Sequence, residues 1–317
     1  MITKELINNT YHYYIFGKFL IYKRERNIEK EERRQRRKVH KELSRRKFSI
    51  DNSLTPDYID NNAKYILVTI SFNNPIIVDY QIKLIKKYIH GDYIHIICDN
   101  SNKKELAEKI RNVCISNGVS YIFINSKSCP NGFSDSHGIA LNWVWKNILK
   151  EKKKGFALLD HDIVPVCNQN IEEYFNKQDF WGQVRFKNYN NHKDIWSLWP
   201  GFSFFNFDCV KDKNLNFKRY KRFGFIKVKG VDTGSANWNC LYSKYNIDKL
   251  DKCNCITWDI KNDCEYTEAR TDNSEFNECV EYYNNKTWLH AINGSDWHYS
   301  NGKINLVYEI LNKILNQ

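Results

Sequence analysis

Between residues 65 and 125 the hydrophobic residues fall into short apolar runs that alternate with amphipathic stretches. The runs are too short for buried helices and are rich in β-branched and aromatic residues, which favours strands. Strands that alternate with helices predict an α/β fold with a mostly parallel central sheet flanked by helices. The predicted strands cover residues 65–72, 93–101 and 121–125, and the predicted helices cover residues 76–88 and 103–117.

A further apolar run, Gly155–Leu159, leads directly into Asp160-His161-Asp162, and Pro165 then disfavours central-strand pairing. This pattern predicts a buried strand that presents two acids at its carboxyl end, where open α/β sheets bind ligands. Because side chains alternate along a strand, Asp160 and Asp162 share a face and His161 points the other way. Two carboxylates form a weak site for Mg²⁺ or Mn²⁺, and such ions complete their shell with phosphates and water. The motif therefore predicts a diphosphate ligand.

The remaining pattern predicts elements on both sides of this motif. Residues 134–143 open a helix, residues 180–186 form a strand, residues 286–290 form a strand that ends in His290, and residues 304–315 form an amphipathic helix. Residues 196–207 are dense in aromatic side chains, and Pro200-Gly201 predicts a turn within them. We expect Trp199 and this turn to be exposed, where an aromatic surface would suit a sugar ring.

The charge of the chain is concentrated at its N-terminal end. The net charge is +12, and residues 1–50 hold fifteen Lys and Arg against six Asp and Glu, so they carry +9 and the rest about +3. An aromatic run at residues 11–22 precedes residues 23–47, whose spacing permits a long basic helix. This extension would either be a solvated arm, contact an anionic membrane through residues 11–47, or bind an acidic partner. Turn-forming residues near 51–57 place the boundary between the extension (1–58) and the main domain (59–317).

The order of these features resembles the GT-A-fold glycosyltransferases, whose Asp-x-Asp motif follows an apolar strand. The resemblance implies a Rossmann-like GT-A sheet, a nucleotide held at the first two strand ends, and a small-residue helix beneath the donor. It also implies that a late histidine completes the metal site and that an acid binds or activates the acceptor. The residues implied to contact the nucleotide sugar are Thr69, Ser71, Phe72, Asp99, Ser101, Gly138, Asn142, Asp160, His161, Gly294 and Ser295. The implied metal ligands are Asp160, Asp162 and His290, with His298 as the alternative to His290.

The implied activity is metal-dependent transfer of a sugar from a nucleoside-diphosphate sugar, with a UDP-linked donor favoured, to a hydroxyl group of a glycan or protein. An imidazole ligand favours Mn²⁺ over Mg²⁺. Asp232, in Val231-Asp232-Thr233-Gly234, is the candidate acceptor-side acid, and a helix cap is the alternative role. As a general base it would imply inversion, whereas a role in orienting the acceptor leaves retention open.

Two other classes of function remain open at this stage. A nucleotidyltransferase would also use a pair of carboxylates, but residues 69–74 lack the glycine-rich basic loop that such enzymes carry. A non-enzymatic protein could bind nucleic acid or a membrane through residues 23–47, with nucleic acid the less favoured partner. Scattered cysteines, no secretory leader and no long apolar run favour an intracellular protein with reduced thiols, whether or not it contacts a membrane. The abundance of Asn, Lys, Ile and Tyr would fit the AT-rich genome of a large DNA virus or a protist.

Overall fold

The structure, a computed structural model, describes most of the chain from residue 63 onward and parts of the N-terminal end. The described residues are 2–7, 10–15, 19–25, 34, 63–124, 133–149, 154–186, 196–219, 222–223, 226–227, 232–266, 279–292 and 301–317. Within them, no helix has both the length and the apolar character needed to span a membrane.

The N-terminal end forms a small antiparallel sheet, not the start of a helical extension. Its strands are β1 (Ile2–Ile7), β2 (Thr10–Ile15) and β3 (Phe19–Glu25), paired in chain order. The aromatic run therefore lies in strands, and the predicted helix at residues 23–47 is wrong at its first three positions. The aromatic and β-branched residues in Thr10–Ile15 favour a strand over a helix. Of the rest of that predicted helix, only Arg34 belongs to the described residues, and it is helical.

A six-stranded sheet forms the centre of the main domain, as the alternating pattern predicts. Strands β4 (Tyr65–Ser71), β6 (Tyr93–Asp99), β7 (Ser120–Phe123) and β8 (Gly155–Asp160) run parallel to one another. Strands β11 (Phe180–Phe186) and β12 (Trp196–Asn206) add antiparallel pairs, and the order is β11-β12-β8-β4-β6-β7. Helices α1 (Pro75–Tyr88), α2 (Lys104–Ser116) and α3 (Phe133–Val144) connect the parallel strands.

A second, five-stranded antiparallel sheet lies next to the carboxyl end of β8. It contains β9 (Ile163–Pro165), β15 (Cys255–Asp259), β16 (Cys264–Glu265), β17 (Cys279–Tyr283) and β18 (Trp288–His290), in the order β16-β15-β17-β18-β9. Only His161 and Asp162 separate β8 in the first sheet from β9 in the second. We call Asp160–Ile163 the acidic turn, and it is the point at which the chain passes between the two sheets.

The remaining elements are short, except for the terminal helix. They are β5 (Ile89–His90), β10 (Gln169–Asn170), α4 (Ile171–Asn176), α5 (Phe207–Val210), β13 (Arg222–Phe223), β14 (Ile226–Lys227), three 3₁₀ turns between residues 235 and 249, and α6 (Asn301–Asn316). Helix α6 confirms the predicted amphipathic helix, with Val307 and Leu311 buried in a cluster that it shares with α1 and with β9, β17 and β18.

The Pro-Gly pair of residues 200–201 does not make the predicted turn. Strand β12 continues through it, but the pairing with β11 jumps from Ser203 opposite Gly182 to Leu198 opposite Val184. The pair therefore lies in a bulge, a position where a strand tolerates proline. Trp199 in this bulge is only 8% exposed, so the expectation that it forms an open sugar platform is wrong. Its ring packs on Tyr283 and His290 of the second sheet instead.

Candidate functional site

The acidic turn presents two carboxylates where the two sheets meet. Asp160 is the last residue of β8, and Asp162 comes directly before β9. The backbone of β12 passes close to this turn at Gly201. A Cβ added to Gly201 would lie 2.6 Å from Oδ2 of Asp160 and 2.3 Å from the Trp199 ring. Only glycine allows this approach without displacing one of those groups.

Asp160 faces a histidine from the neighbouring helix. His137 of α3 places its Nε2 3.1 Å from Oδ1 of Asp160, and both side chains are partly exposed. Burial is the main reason why the pKa of Asp160 is raised, and the carboxylate of Asp162 raises it further, while His137 opposes the shift. The two acids are therefore close enough to repel each other, which favours a positive charge between or beside them.

Asp162 faces His290 from the second sheet. Nε2 of His290 lies 3.7 Å from Oδ2 of Asp162, and both side chains are buried. The backbone keeps them together, because His290 pairs with Ile163 across β18 and β9 and the amide of Ala291 donates to the carbonyl of Asp162 at 2.9 Å. The late histidine that the resemblance implied thus lies beside one of the two acids.

Glu281 holds the other side of the His290 ring. It is the direct cross-strand partner of His290, its Oε2 lies 2.8 Å from Nδ1, and it also accepts a hydrogen bond of 2.5 Å from the Tyr283 hydroxyl. Nδ1 faces Glu281, so Nε2 is the ring nitrogen that faces Asp162. Burial lowers the pKa of His290, but Asp162 and Glu281 together outweigh it and raise that pKa to about 9. Burial likewise works against ionisation of Glu281, yet the hydrogen bond and charge of His290 and the charge of Arg185 hold its pKa well below the usual range.

Arg185 connects this cluster to Asp232, the predicted acceptor-side acid. Its guanidinium lies 3.9 Å from Oε2 of Glu281 and is centred 4.9 Å from the Trp199 ring. Burial opposes its charge, but Tyr283, Glu281 and Asp232 outweigh that effect and raise the pKa of Arg185. Asp232 is partly exposed and accepts a hydrogen bond of 2.7 Å from the amide of Thr233. The structure therefore brings Asp232 toward the same site as the acidic turn.

The side chains of this site carry atoms that suit a divalent cation. Two carboxylates and an imidazole nitrogen suit Mn²⁺, and a histidine whose second nitrogen is held by a carboxylate is typical of metal ligands. Among the side chains that the structure describes, however, no three of His, Cys, Asp or Glu are grouped so as to hold a metal ion. Asp160 turns to His137, while Asp162 turns to His290. The assignment of Asp160, Asp162 and His290 to one ion stays a prediction.

The residues predicted at the first two strand ends lie together, but most of their polar groups bind one another. Asp99 is fully buried and accepts hydrogen bonds from the Ser71 hydroxyl, from the amide and hydroxyl of Ser101, and from the Tyr121 hydroxyl. Phe72 is partly exposed at the same edge. Contact of these residues with a nucleotide stays a prediction. In the described structure, Asp99 joins the two strand ends to each other.

The residues predicted on α3 and in the acidic turn also contact the protein itself. A Cβ on Gly138 would lie 2.5 Å from the carbonyl oxygen of Phe217, and Asn142 accepts a hydrogen bond of 2.8 Å from the amide of Phe217. Both residues therefore hold α3 against residues 216–218. His161 lies in the turn and not in a strand, so the predicted alternation does not apply to it, and its Nδ1 lies 3.3 Å from the Ile70 carbonyl oxygen. Gly294, Ser295 and His298 lie outside the described residues.

Three side chains of this site escaped the sequence analysis. Glu281 and Arg185 could not be singled out, because their partners are distant in the chain and the pattern near Glu281 did not predict a strand. Gln81 did leave a signal: it is a polar residue on the apolar face of α1, among Ile77, Val78, Ile82 and Ile85, which are all buried. A glutamine in that position must find hydrogen-bond partners inside the protein. Thr69, predicted at the nucleotide, is fully buried and donates to Gln81 instead.

No family model matches the chain, and no curated protein matches it. Solved structures that it resembles include sugar transferases. The mannosyltransferase Ktr4p from S. cerevisiae aligns with a TM-score of 0.34 and 11% identity over 58% of this chain and 67% of that one. The mannosyltransferase PcManGT from Pyrobaculum calidifontis, in complex with GDP-Man and Mn²⁺, aligns with a TM-score of 0.35 and 7% identity over 59% and 56%. The apo-form glycosyltransferase GlyE of Streptococcus pneumoniae TIGR4 aligns with a TM-score of 0.30 and 11% identity over 60% and 45%. The chain thus spans about half the length of the last two.

Proposed function

We propose that this chain is a metal-dependent glycosyltransferase that moves a sugar from a nucleoside-diphosphate sugar, with UDP as the favoured nucleotide, to a hydroxyl group of a glycan or protein. The observation that carries the proposal is the acidic turn. It presents two mutually repelling carboxylates at the carboxyl end of a parallel sheet, and a histidine oriented by a buried glutamate faces one of them. Such a site favours a hard cation and, through it, a diphosphate.

Each side chain would have a separate role. Asp160, Asp162 and His290 would hold Mn²⁺, and the bound ion would neutralise charge on the departing diphosphate. His137, whose Nε2 lies 3.1 Å from Oδ1 of Asp160, would reach an oxygen of the diphosphate. Arg185, which lies over the Trp199 ring, would compensate the negative charge of Asp232 on the acceptor side.

Asp232 would act on the acceptor. As a general base it would take the proton of the attacking hydroxyl group, and the transfer would invert the anomeric configuration. If Asp232 only accepts a hydrogen bond from the acceptor, a retaining transfer remains compatible with the site. The configuration of the product therefore reports which role this carboxylate has.

The test is Mn²⁺-dependent release of UDP from UDP-sugars by Asp162→Ala. We expect the rate to fall about a thousandfold, equivalent to roughly 4 kcal/mol of transition-state stabilisation, with the fold intact by circular dichroism. Asp208→Ala is the matched control, because Asp208 is a highly exposed acid on α5. If Asp162→Ala releases UDP at the wild-type rate, the metal site is assigned to the wrong residues. GDP-sugars are assayed in parallel, and turnover with them alone would change the assigned nucleotide.

A further inference from the structure

Gln81 bridges the two ends of the acidic turn. Its side chain is fully buried, and its Nε2 lies 2.7 Å from the carbonyl oxygen of Asp160 and 2.7 Å from that of Ile163. The amide nitrogen carries two hydrogens, so each carbonyl receives one of them. These carbonyls belong to the last residue of β8 and the first residue of β9. A single side chain from α1 thus spans the point where the chain changes sheets.

The direction of every hydrogen bond behind Gln81 follows from this contact. Backbone carbonyls only accept, so the amide nitrogen must face them and Oε1 must face Thr69, 2.9 Å away. The Thr69 hydroxyl spends its hydrogen on Gln81 and therefore accepts from Nε2 of His95, also 2.9 Å away. Burial lowers the pKa of His95 to about 3, so the ring is neutral and its one proton sits on Nε2. His95, Thr69 and Gln81 form a relay with one consistent arrangement of hydrogens, which we call the glutamine relay.

Other contacts of the turn do not replace this bridge. The amide of Ala291 donates to the carbonyl of Asp162, and the His161 ring lies near the Ile70 carbonyl, but neither touches the two carbonyls that Gln81 holds. Asparagine is one methylene shorter, and glutamate would present oxygen to oxygen. A buried carbonyl that loses its donor is costly, so the turn would have to rearrange.

We propose that Gln81 is a positioning residue that fixes the relative placement of Asp160 and Asp162 by clamping the acidic turn. The effect on cation binding rests on the proposed function, whereas the effect on the turn rests only on the geometry. Gln81 itself contacts neither the cation nor the substrate in this assignment. It acts through the backbone of the two acids.

The experiment compares Gln81→Leu with Ile82→Ala in the full-length protein. Ile82 is the next residue on α1, is equally buried and lies outside the relay, so its truncation destabilises the core without unclamping the turn. Hydrogen exchange is measured in the metal-free protein on peptides covering residues 160–165. We expect exchange there to be at least tenfold faster in Gln81→Leu than in Ile82→Ala at matched global stability. Thr69→Val, which keeps both donor bonds of Gln81, should fall between them.

Binding of Mn²⁺ alone, measured by electron paramagnetic resonance, provides the second measurement. We expect Gln81→Leu to bind Mn²⁺ at least tenfold more weakly than Ile82→Ala, which should match the wild type. Equal exchange and equal Mn²⁺ affinity in Gln81→Leu and Ile82→Ala would overturn the role of Gln81. A wild-type protein that binds no Mn²⁺ would overturn the proposed metal dependence instead, and the exchange rates would then decide the role of Gln81 by themselves.

Discussion

Charged and polar residues alternate through the buried part of the site. Arg185, Glu281, His290 and Asp162 follow one another with opposite or complementary charge, and each of the last three is almost completely buried. Removing one member would leave a neighbouring charge without compensation in a poorly solvated place, which costs more than the pair itself contributes. The glutamine relay satisfies its buried polar groups without net charge, because His95 donates to Thr69, Thr69 donates to Gln81, and Gln81 donates to the two carbonyls of the acidic turn.

His95 makes the stability of the protein sensitive to acid. Burial lowers its pKa to about 3 in the folded state, whereas an unfolded chain protonates histidine near its ordinary value of 6.5. Between these values the unfolded chain binds a proton that the folded chain does not. The stabilising contribution is therefore complete above pH 6.5 and is lost, by about 1.4 kcal/mol per pH unit, as the pH falls toward 3.

His95→Gln tests this dependence, because glutamine can still donate to Thr69 but does not titrate. We expect the free energy of unfolding in urea, measured between pH 4 and 7, to fall less steeply in this variant by up to about 1.4 kcal/mol per pH unit. His90→Gln is the control, since His90 lies exposed on β5. If the free energy of unfolding depends on pH equally in His95→Gln and in the wild type, then His95 takes up its proton in the folded protein despite its burial.

At the scale of elements, the sequence predicts the parallel sheet but not the second sheet. Apolar runs such as Tyr65–Ser71 are buried on both faces, so their composition alone identifies them. Strand β9 has three residues and includes Pro165, and β15 is partly exposed along most of its length, so neither carries a strong strand pattern. The acids could be found because they end an apolar run. Gln81 and Glu281 bind residues that are distant in the sequence, so only the structure identifies their partners.

Gly138 shows what close packing between elements requires. Its added Cβ would lie 2.5 Å from a backbone oxygen of Phe217, which cannot move as a flexible side chain could. We expect Gly138→Ala to lower the free energy of unfolding by about 1–3 kcal/mol, because α3 must shift away from residues 216–218. Urea denaturation at neutral pH measures the change.

Gly118→Ala serves as the comparison for Gly138→Ala. Gly118 has open space around it but a φ of +58°, so alanine there meets only backbone strain of about 1–2 kcal/mol. The two variants separate in their effect on the site: Gly138→Ala should also weaken Mn²⁺ binding, because α3 carries His137 toward Asp160. If Gly138→Ala is as stable as the wild type, α3 does not pack on residues 216–218 as closely as the structure indicates.

For the whole molecule, charge and chemistry are separated along the chain. Residues 1–50 carry +9 of the net +12, whereas the acidic turn and its partners all lie beyond residue 63. A segment of this charge would attract anionic surfaces, and salt would screen that attraction. The sugar-transfer chemistry we propose does not use residues 1–50.

Deletion of residues 1–50 separates these two properties. We expect the shortened chain to keep UDP release within about twofold of the full-length rate and to lose most of its binding to vesicles that contain phosphatidylserine in 50 mM salt. The full-length chain should itself release such vesicles at high salt, because its attraction is electrostatic. Loss of UDP release on deletion would show that residues 1–50 contribute to catalysis. Vesicle binding that survives deletion would show that residues 1–50 are not the membrane contact.

The passage of the chain from one sheet to the other within two residues limits how the protein can enclose a ligand. Many transferases capture substrates by bending one lobe against another about a hinge. Here a bend at the acidic turn would change the distance between the carboxylates of Asp160 and Asp162, which we propose bind the metal ion. A donor bound as we propose would therefore have to be enclosed by segments that fold over the acidic turn, while the turn itself stays stiff.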